Sequence, residues 1–357
     1  MSRPLRRRIV GATAALAAAI LTITTMPLAA PASAEPAARA TTGLFGSADP
    51  TYDGAYRQSM ALLGLTAAKA PLPAPAVSWL VAQQCANGSY QAYRANVSEP
   101  CSAPDPEGFT GPDSNSTALA AMALKAAGRS AQSARALAAL LAAQNADGGW
   151  GYILGGASDV NSTGLALAAV TDEARAKAAA VRATGYLAKA QSPCSAPVAS
   201  RFGLPYQPGG PVDALASGQG LIGLSGTLPV IAATSASART VTCSSGLRAQ
   251  VAAFLDRIVR TTDGALPSAL DSTKTDWNAT ATAAIALSAA GGARRAVTVA
   301  LTALGENSAA YTGSGATASP AALGTLIQAA TAGRANPRAF GEARTNLVAA
   351  LLATQQK

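Results

Sequence analysis

The chain has 357 residues, of which 49% are hydrophobic, 13% charged and only 4% aromatic, and it contains no His. Its formal net charge is +9, but four of the 27 basic residues are Arg3, Arg6, Arg7 and Arg8, which leaves 23 basic against 18 acidic residues elsewhere. With no basic run after Arg8, the composition argues against nucleic acid as a partner. The absence of His excludes a Ser-His-Asp triad.

The first 34 residues are typical of a secretory signal peptide. Four Arg residues precede an apolar run from Ile9 to about Ala30, and Ala32-Ser33-Ala34 matches an A-x-A cleavage site. No membrane span is predicted after this signal, so we expect a secreted, extracellular protein that is a monomer. The predicted organisation is a signal peptide at 1–34, a flexible lead-in at 35–50 and a single domain at 51–357.

Six pairs of helices are predicted in the remainder of the chain. In each pair the first helix is apolar nearly all round and follows an N-cap residue, whereas the second is amphipathic and carries Arg, Lys and Gln. This alternation, at about 50 residues per pair, predicts an all-α (α/α)6 toroid with an inner ring of first helices and an outer ring of second helices. The predicted pairs are 52–68 with 76–84, 113–127 with 130–144, 158–170 with 174–191, 212–224 with 247–260, 275–292 with 294–304, and a sixth that begins near 316–318 and returns from 338 to the C-terminus.

One loop between helices carries a recognisable motif. Its residues are Gln144, Asp147, Gly148, Gly149 and Trp150, with weaker copies from Gln84 to Tyr90 and from Thr262 to Gly264. The motif resembles the QW repeat of the squalene–hopene cyclase and prenyltransferase repeat superfamily, and this resemblance implies the same toroid. We expect these five residues to have a structural role.

The helix starts resemble a second group of toroids. DSNST at Asp113, DVNST at Asp159 and DWNAT at Asp276 are similar to the helical domain of the cobalamin carriers intrinsic factor and transcobalamin. This likeness implies a corrinoid as one candidate ligand. Those carriers close over the corrinoid with a second, β domain, for which this chain has no room.

The catalytic sets of these families are missing from the sequence. A squalene–hopene-type cyclase uses an Asp-x-Asp-Asp acid, which does not occur here, and aromatic residues that would stabilise carbocations are few. Protein prenyltransferases hold zinc through Asp, Cys and His, and His is absent. We therefore expect no metal and no cofactor.

The Asp residues at the helix starts are the main candidate site. If the inner helices run parallel, Asp53, Asp113, Asp159, Asp213 and Asp276 gather at one mouth of the ring. Capping of the helices explains both the residue type and its position; the alternative is that the same ring also faces a ligand. The other candidate ligand-binding residues are Tyr56, Arg57, Asn115, Asn161, Gln219, Trp277 and Asn278.

Three functions are compatible with this sequence. The leading hypothesis is a non-catalytic toroid that binds a small molecule or a protein partner at the mouth. An enzyme of the terpene cyclase or carbohydrate-active type would use Asp113, Asp159 and Asp276, and requires carboxylates that face each other across a deep lumen. A structural protein of the cell envelope should instead have a plugged lumen and an exposed apolar patch.

Four cysteines follow the predicted signal, and an even number in an oxidising compartment favours two disulfides. Three pairings are compatible with the sequence. We favour Cys85–Cys101 together with Cys194–Cys243, because each would staple a loop-rich insertion.

Overall fold

The computed structural model describes residues 42–230 and 240–357, and within them it contains thirteen α-helices and no ladder of β-strands. The predicted signal peptide lies outside these residues. The helices are α1 Gly54–Ala67, α2 Ala74–Ala82, α3 Ser114–Ala126, α4 Ser130–Ala142, α5 Val160–Val170, α6 Lys177–Ala190, α7 Ala214–Ser225, α8 Leu247–Thr261, α9 Trp277–Ala290, α10 Arg294–Glu306, α11 Ser308–Thr312, α12 Pro320–Ala332 and α13 Leu347–Ala353.

Six of these helices form a closed inner ring. Each of α1, α3, α5, α7, α9 and α12 packs against the next in this order, and α12 packs against α1. The helices α2, α4, α6, α8, α10 and α13 pack outside, each against the inner helix that precedes it in the chain. The predicted all-α toroid of inner and outer helices is therefore confirmed.

Glycine allows the inner helices to approach one another closely. A Cβ atom on Gly64 of α1 would lie 2.7 Å from the Cα of Gly324 on α12. A Cβ on Gly164 of α5 would lie 2.5 Å from the carbonyl oxygen of Gln219 on α7. Both distances are shorter than real Cβ contacts, so these interfaces depend on small residues, as the Ala-rich and Gly-rich sequence of the inner helices indicates.

The two ends of the described domain are joined by main-chain hydrogen bonds. Phe45 forms an antiparallel bridge with Gln355, and the Gln356 N–H donates to the Leu44 carbonyl oxygen at 2.8 Å. Leu44 and Phe45 are fully buried. Part of the stretch expected to be a flexible lead-in thus belongs to the core and helps to close the ring.

The sixth pair differs from its prediction. The short helix α11 and a 3₁₀ turn, Gly315–Thr317, precede α12, which begins at Pro320 after the N-cap Ser319. The return helix α13 begins at Leu347 rather than 338, because residues 338–346 are taken up by a turn closed by the Phe340–Thr345 bridge.

Candidate functional site

The repeated Asp residues are N-caps. The carboxylates of Asp113, Asp159, Asp213 and Asp276 each accept a hydrogen bond from the backbone N–H three residues later, at 2.6, 2.7, 2.6 and 2.8 Å. In Asp159 the second oxygen also accepts from the Ser162 hydroxyl at 2.8 Å. These four side chains are folded back onto their own helices, and this is the capping arrangement expected from the sequence.

A hydroxyl four residues after each of these caps fixes the rotation of the helix. It accepts the backbone N–H of the loop that arrives from the preceding outer helix. The pairs are Thr117 with Tyr90 at 3.0 Å, Thr163 with Trp150 at 2.9 Å, Ser217 with Leu204 at 2.8 Å and Thr280 with Leu266 at 3.3 Å. This side of each inner helix therefore faces outward.

The residue two positions before each hydroxyl then faces the centre of the ring, because two helical steps rotate it by about 200°. In α1 the outward position is held by Gln58, whose Oε1 accepts the Phe45 N–H at 2.8 Å. Tyr56 is two positions before Gln58, so Tyr56 faces inward. In α12, Ala321 takes this place, because it lies two residues after the cap Ser319 as Asn115 lies after Asp113. The first inward layer is partly exposed throughout and consists of Tyr56, Asn115, Asn161, Leu215, Asn278 and Ala321.

The next inward layer closes the ring. Its members lie one helical turn further on, and none is more than 7% exposed. Side chains that lined a water-sized cavity would keep accessible surface, so the ring is packed from this layer onward. These residues are Met60, Leu119, Leu165, Gln219, Thr282 and Thr325. We call these two layers, a partly exposed one above a buried one, the first-turn bowl.

One side of the first-turn bowl carries amides without protein partners. Asn115 Oδ1, Asn161 Oδ1 and Gln219 Oε1 are buried, and no residue of the described chain donates a hydrogen bond to them. They belong to three successive inner helices, α3, α5 and α7. A buried acceptor without a donor costs about 1–3 kcal/mol, so this arc is built at the expense of stability.

The opposite side of the bowl is satisfied by a tyrosine from α11. The Tyr311 hydroxyl donates to Asn278 Oδ1 at 3.0 Å, and the same hydroxyl interacts with Thr325. Asn278 therefore differs from Asn115 and Asn161, although all three occupy the same place in their repeats. The signal for Tyr311 in the sequence is weak, because it lies in an insertion specific to the last repeat.

Tyrosines are concentrated around the bowl. Burial raises the pKa of Tyr56, Tyr206 and Tyr311, and it raises the pKa of Tyr152 to about 12, with a further contribution from Asp113. Each hydroxyl keeps its proton at neutral pH and remains a hydrogen-bond donor. Although the chain as a whole contains few aromatic residues, several of them lie around the bowl. Tyr152 and Tyr311 are not among the candidate residues predicted from the sequence.

The cap carboxylates are perturbed by burial. Burial raises the pKa of Asp113 to about 7, opposed by the hydrogen bonds from Ser116. Its Oδ2 atom is buried and has no hydrogen-bond partner in the described chain, and the residue is 1% exposed. Burial also raises the pKa of Asp159 and Asp213.

Besides the four cap residues, three of the predicted site residues lie outside the two layers of the bowl. Asp53 does not cap α1 through its side chain and instead lies 3.5 Å from Arg57. The Arg57 guanidinium is buried and donates to the Ala48 carbonyl oxygen at 2.7 Å, so it is directed toward the amino-terminal segment. Trp277 is half-buried at the first residue of α9, beside the cap Asp276.

The residues of the QW-like motif connect neighbouring helices. Gln144 Nε2 donates to the carbonyl oxygens of Gly148 at 2.8 Å and of Ala179, the latter on α6, at 2.9 Å. Asp147 Oδ1 accepts the Gly149 N–H at 2.9 Å. Gly148 has a positive φ of 94°, which favours glycine.

Both expected disulfides are present, Cys85–Cys101 and Cys194–Cys243. In the ranges 42–230 and 240–357, none of the helices is long and apolar enough to cross a membrane. Two disulfides are compatible with an extracellular location.

Solved structures with a similar fold include terpene cyclases. A protein from Actinoplanes is 14% identical, with 78% of this chain and 90% of that chain covered and a TM-score of 0.51. The ent-copalyl diphosphate synthase from Streptomyces platensis is 16% identical, with 79% of this chain and 50% of that chain covered and a TM-score of 0.53. The type II terpene cyclase MstE from Scytonema is 12% identical, with 84% and 94% covered and a TM-score of 0.49.

The similarity to the Streptomyces platensis synthase shows a terpenoid-cyclase-like all-helical fold. This chain spans about half the length of the Streptomyces platensis synthase. No protein-family model and no curated protein sequence matches the chain.

Proposed function

We propose that this protein is a secreted, non-catalytic toroid that binds a small molecule or a protein partner at the first-turn bowl. The observation that carries the proposal is the arc of buried amide oxygens on Asn115, Asn161 and Gln219, which find no donor within the described chain. Unpartnered groups of this kind are costly to a fold and are repaired when a ligand donates to them.

The state of the carboxylates supports a binding role over catalysis. Two opposed carboxylates need access to a substrate between them. Asp113, Asp159 and Asp276 are instead bonded to their own helix starts, and the ring is packed one turn below the mouth. A corrinoid remains one candidate ligand from the likeness of the helix starts, and it would lie over the bowl without a lid from this chain.

Exposed apolar side chains around the same mouth support the version with a protein partner. Tyr52, Phe109, Tyr206 and Leu270 are 86%, 71%, 48% and 98% exposed, and all lie in segments that lead into inner helices. A partner that covered the mouth would bury them, as the apolar anchors of an interface are buried. The same feature, together with the packed ring, is what a structural protein of the cell envelope would need.

The binding proposal is tested by calorimetric titration of the purified, disulfide-bonded protein with cyanocobalamin, farnesol and short neutral glycans. A double variant, Asn115→Leu with Asn161→Leu, disables the arc. We expect one of these probes to bind the natural protein and to lose affinity for the double variant. Binding that is equal in both proteins would place the ligand elsewhere and contradict the proposal.

A second function, terpene-cyclase-like catalysis, is favoured by one observation. Asp113 is a buried carboxyl whose pKa is raised to about 7 and whose Oδ2 has no partner in the described chain, so it would hold a proton near neutral pH. Incubation with squalene and with geranylgeranyl diphosphate tests this function. A cyclised product that is formed by the natural protein and not by Asp113→Asn would replace the binding proposal.

A further inference from the structure

The first-turn bowl differs from a general hydrophobic pocket in ways that specify the chemistry of a ligand. The inference below rests on the proposed function, since it assumes that the bowl is the binding site and asks what it would hold. Three features limit the answer: the charge of the wall, the kind of hydrogen-bonding groups in it, and its width.

The wall carries no ionisable group other than a phenol. The twelve residues of the two inward layers include no Asp, Glu, Lys or Arg. The carboxylates of Asp113 and Asp159 are held by helix N–H groups. That of Asp53 is paired with Arg57, and Arg57 is directed away from the bowl. A charged ligand would lose its hydration without gaining an ion pair here, so the wall favours an uncharged molecule.

The hydrogen-bonding groups require a polar molecule. Gln219 is only 7% exposed, and its Oε1 has no hydrogen-bond donor within the described residues. The amide oxygens of Asn115 on α3 and Asn161 on α5 are also buried and also have no donor within the described residues. An isoprenoid chain would leave all three acceptors unpaired, whereas hydroxyl groups would donate to them.

Aromatic side chains border the polar arc. Tyr56 belongs to the first inward layer, and Tyr152 lies close enough to both Tyr56 and Asp113 for their charges to affect its pKa. Tyrosine offers an apolar face and a hydroxyl together. A ring with one apolar face and several hydroxyl groups is complementary to this combination.

The width of the bowl limits the ligand to about one ring. Six helices in a closed hexagon, packed at about 8–10 Å, have their axes about 8–10 Å from the centre. A helix with its side chains has a radius of about 5 Å, which leaves an opening about 6–10 Å across. Tyr311 reaches Asn278 and Thr325 and occupies part of this opening, so the opening admits at most one six-membered ring with its hydroxyl groups and not a corrinoid macrocycle.

We propose that the first-turn bowl binds a single uncharged sugar unit, such as the end of a neutral glycan, through Asn115, Asn161 and Gln219. These amide oxygens are buried in the structure, so the side chains of Asn115, Asn161 and Gln219 turn toward the mouth on binding and accept hydrogen bonds from the ring hydroxyls. Tyr56 and Tyr152 contact the less polar face of the sugar. The bowl is too shallow for more than one unit, so further units of a glycan would lie over the rim.

The test is a titration with the methyl glycosides of glucose, galactose, mannose and N-acetylglucosamine, followed by calorimetry and by saturation-transfer NMR. At least one should bind to the natural protein. Asn161→Leu and Gln219→Leu should each weaken it by about tenfold or more, the loss expected for one hydrogen bond to a buried acceptor. The matched control is Asn336→Leu, an exposed amide in the connection between α12 and α13 on the opposite face, and it should bind as the natural protein does.

A folding control separates loss of binding from loss of structure. Gln219→Leu removes a buried amide with an unpartnered oxygen, so its melting temperature should equal or exceed that of the natural protein. Sugar binding that Asn161→Leu and Gln219→Leu leave intact would overturn the inference. Binding of cyanocobalamin or farnesol that is lost in Asn161→Leu, without any sugar binding, would overturn the ligand class and retain the bowl as the site. A folded natural protein that binds none of these probes would overturn this inference and the small-molecule version of the proposed function, and would leave only the version with a protein partner.

Discussion

The Trp150 backbone N–H donates to Thr163 Oγ1 at 2.9 Å, and this one bond joins the QW-like loop to the first turn of α5. Three other repeats have the same bond, from Tyr90, Leu204 and Leu266. The loop that leaves one outer helix thus sets the rotation of the next inner helix. We call the side chain that accepts this bond the clamp. The inward direction of the Asn residues is a consequence of this bond.

Replacement of Thr163 by Val should therefore destabilise the protein. Thr163 is fully buried, and a Val of similar shape leaves the Trp150 N–H without its acceptor. We expect a loss of about 1–3 kcal/mol in the free energy of unfolding, measured by urea denaturation. Thr184→Val is the matched control, because the half-buried Thr184 hydroxyl donates only to the Ala180 carbonyl within its own helix; equal losses in the two variants would contradict the role of the clamp.

Trp150 should contribute more than its hydrogen bond. Its side chain is fully buried, and the indole Nε1 donates to the Leu140 carbonyl oxygen at 2.7 Å. Trp150→Ala should cost about 3–5 kcal/mol, as large-to-small changes in a core do. Trp150→Phe keeps most of the apolar contact, so it should lose less unfolding free energy than Trp150→Ala. The loss that remains measures the missing hydrogen bond to Leu140 together with the altered packing. A shift in the urea midpoint of Trp150→Ala no larger than that of a surface substitution would show that the loop does not hold the rings together.

The sequence predicts the frame better than the site. Apolar first helices with Asp caps were sufficient to predict the ring, and the DxNxT pattern already contained the cap and the clamp. The direction of the Asn could also have been read from its distance to the Thr. The rotation of α1 could not, because there the clamp is Gln58, which turns Tyr56 inward and Arg57 away.

The tyrosines of the bowl illustrate a second limit of the sequence. Tyr311 reaches Asn278 from the insertion before α12, across 33 residues of chain. Tyr152 is in a loop after α4, yet it is close to Tyr56 on α1. Such pairs depend on which helices become neighbours when the ring closes, and no local periodicity indicates them.

Close packing of α1 against α12 should make Gly324 intolerant of even a methyl group. A Cβ there would lie 2.6 Å from the carbonyl carbon of Met60, which belongs to the backbone and has little freedom to move. Gly324→Ala should lose about 1–3 kcal/mol of unfolding free energy, as overpacked cores do. Thermal and urea denaturation measure the loss.

The control for Gly324 is another helical glycine, Gly185 on α6. A Cβ at Gly185 meets no atom within 4 Å, so Gly185→Ala should stabilise by about 0.5–1 kcal/mol through the restricted unfolded chain. Opposite signs for the two substitutions are expected. A neutral or stabilising Gly324→Ala would mean that the ring can widen at this seam.

Asp113 should make the stability of the protein depend on pH. Its folded-state pKa of about 7 lies above the value of about 3.9 for an unfolded Asp. Between these values the folded state binds more protons than the unfolded state. The contribution of Asp113 to the free energy of unfolding therefore falls as pH rises from about 4 to about 7, and it stays low above that. Asp113→Asn keeps an N-cap oxygen and removes the titration. The urea midpoint of the variant, measured from pH 4 to pH 8, should therefore rise relative to that of the natural protein across this interval. Parallel curves for Asp113→Asn and the natural protein would show that the Asp113 carboxyl is not perturbed by its burial.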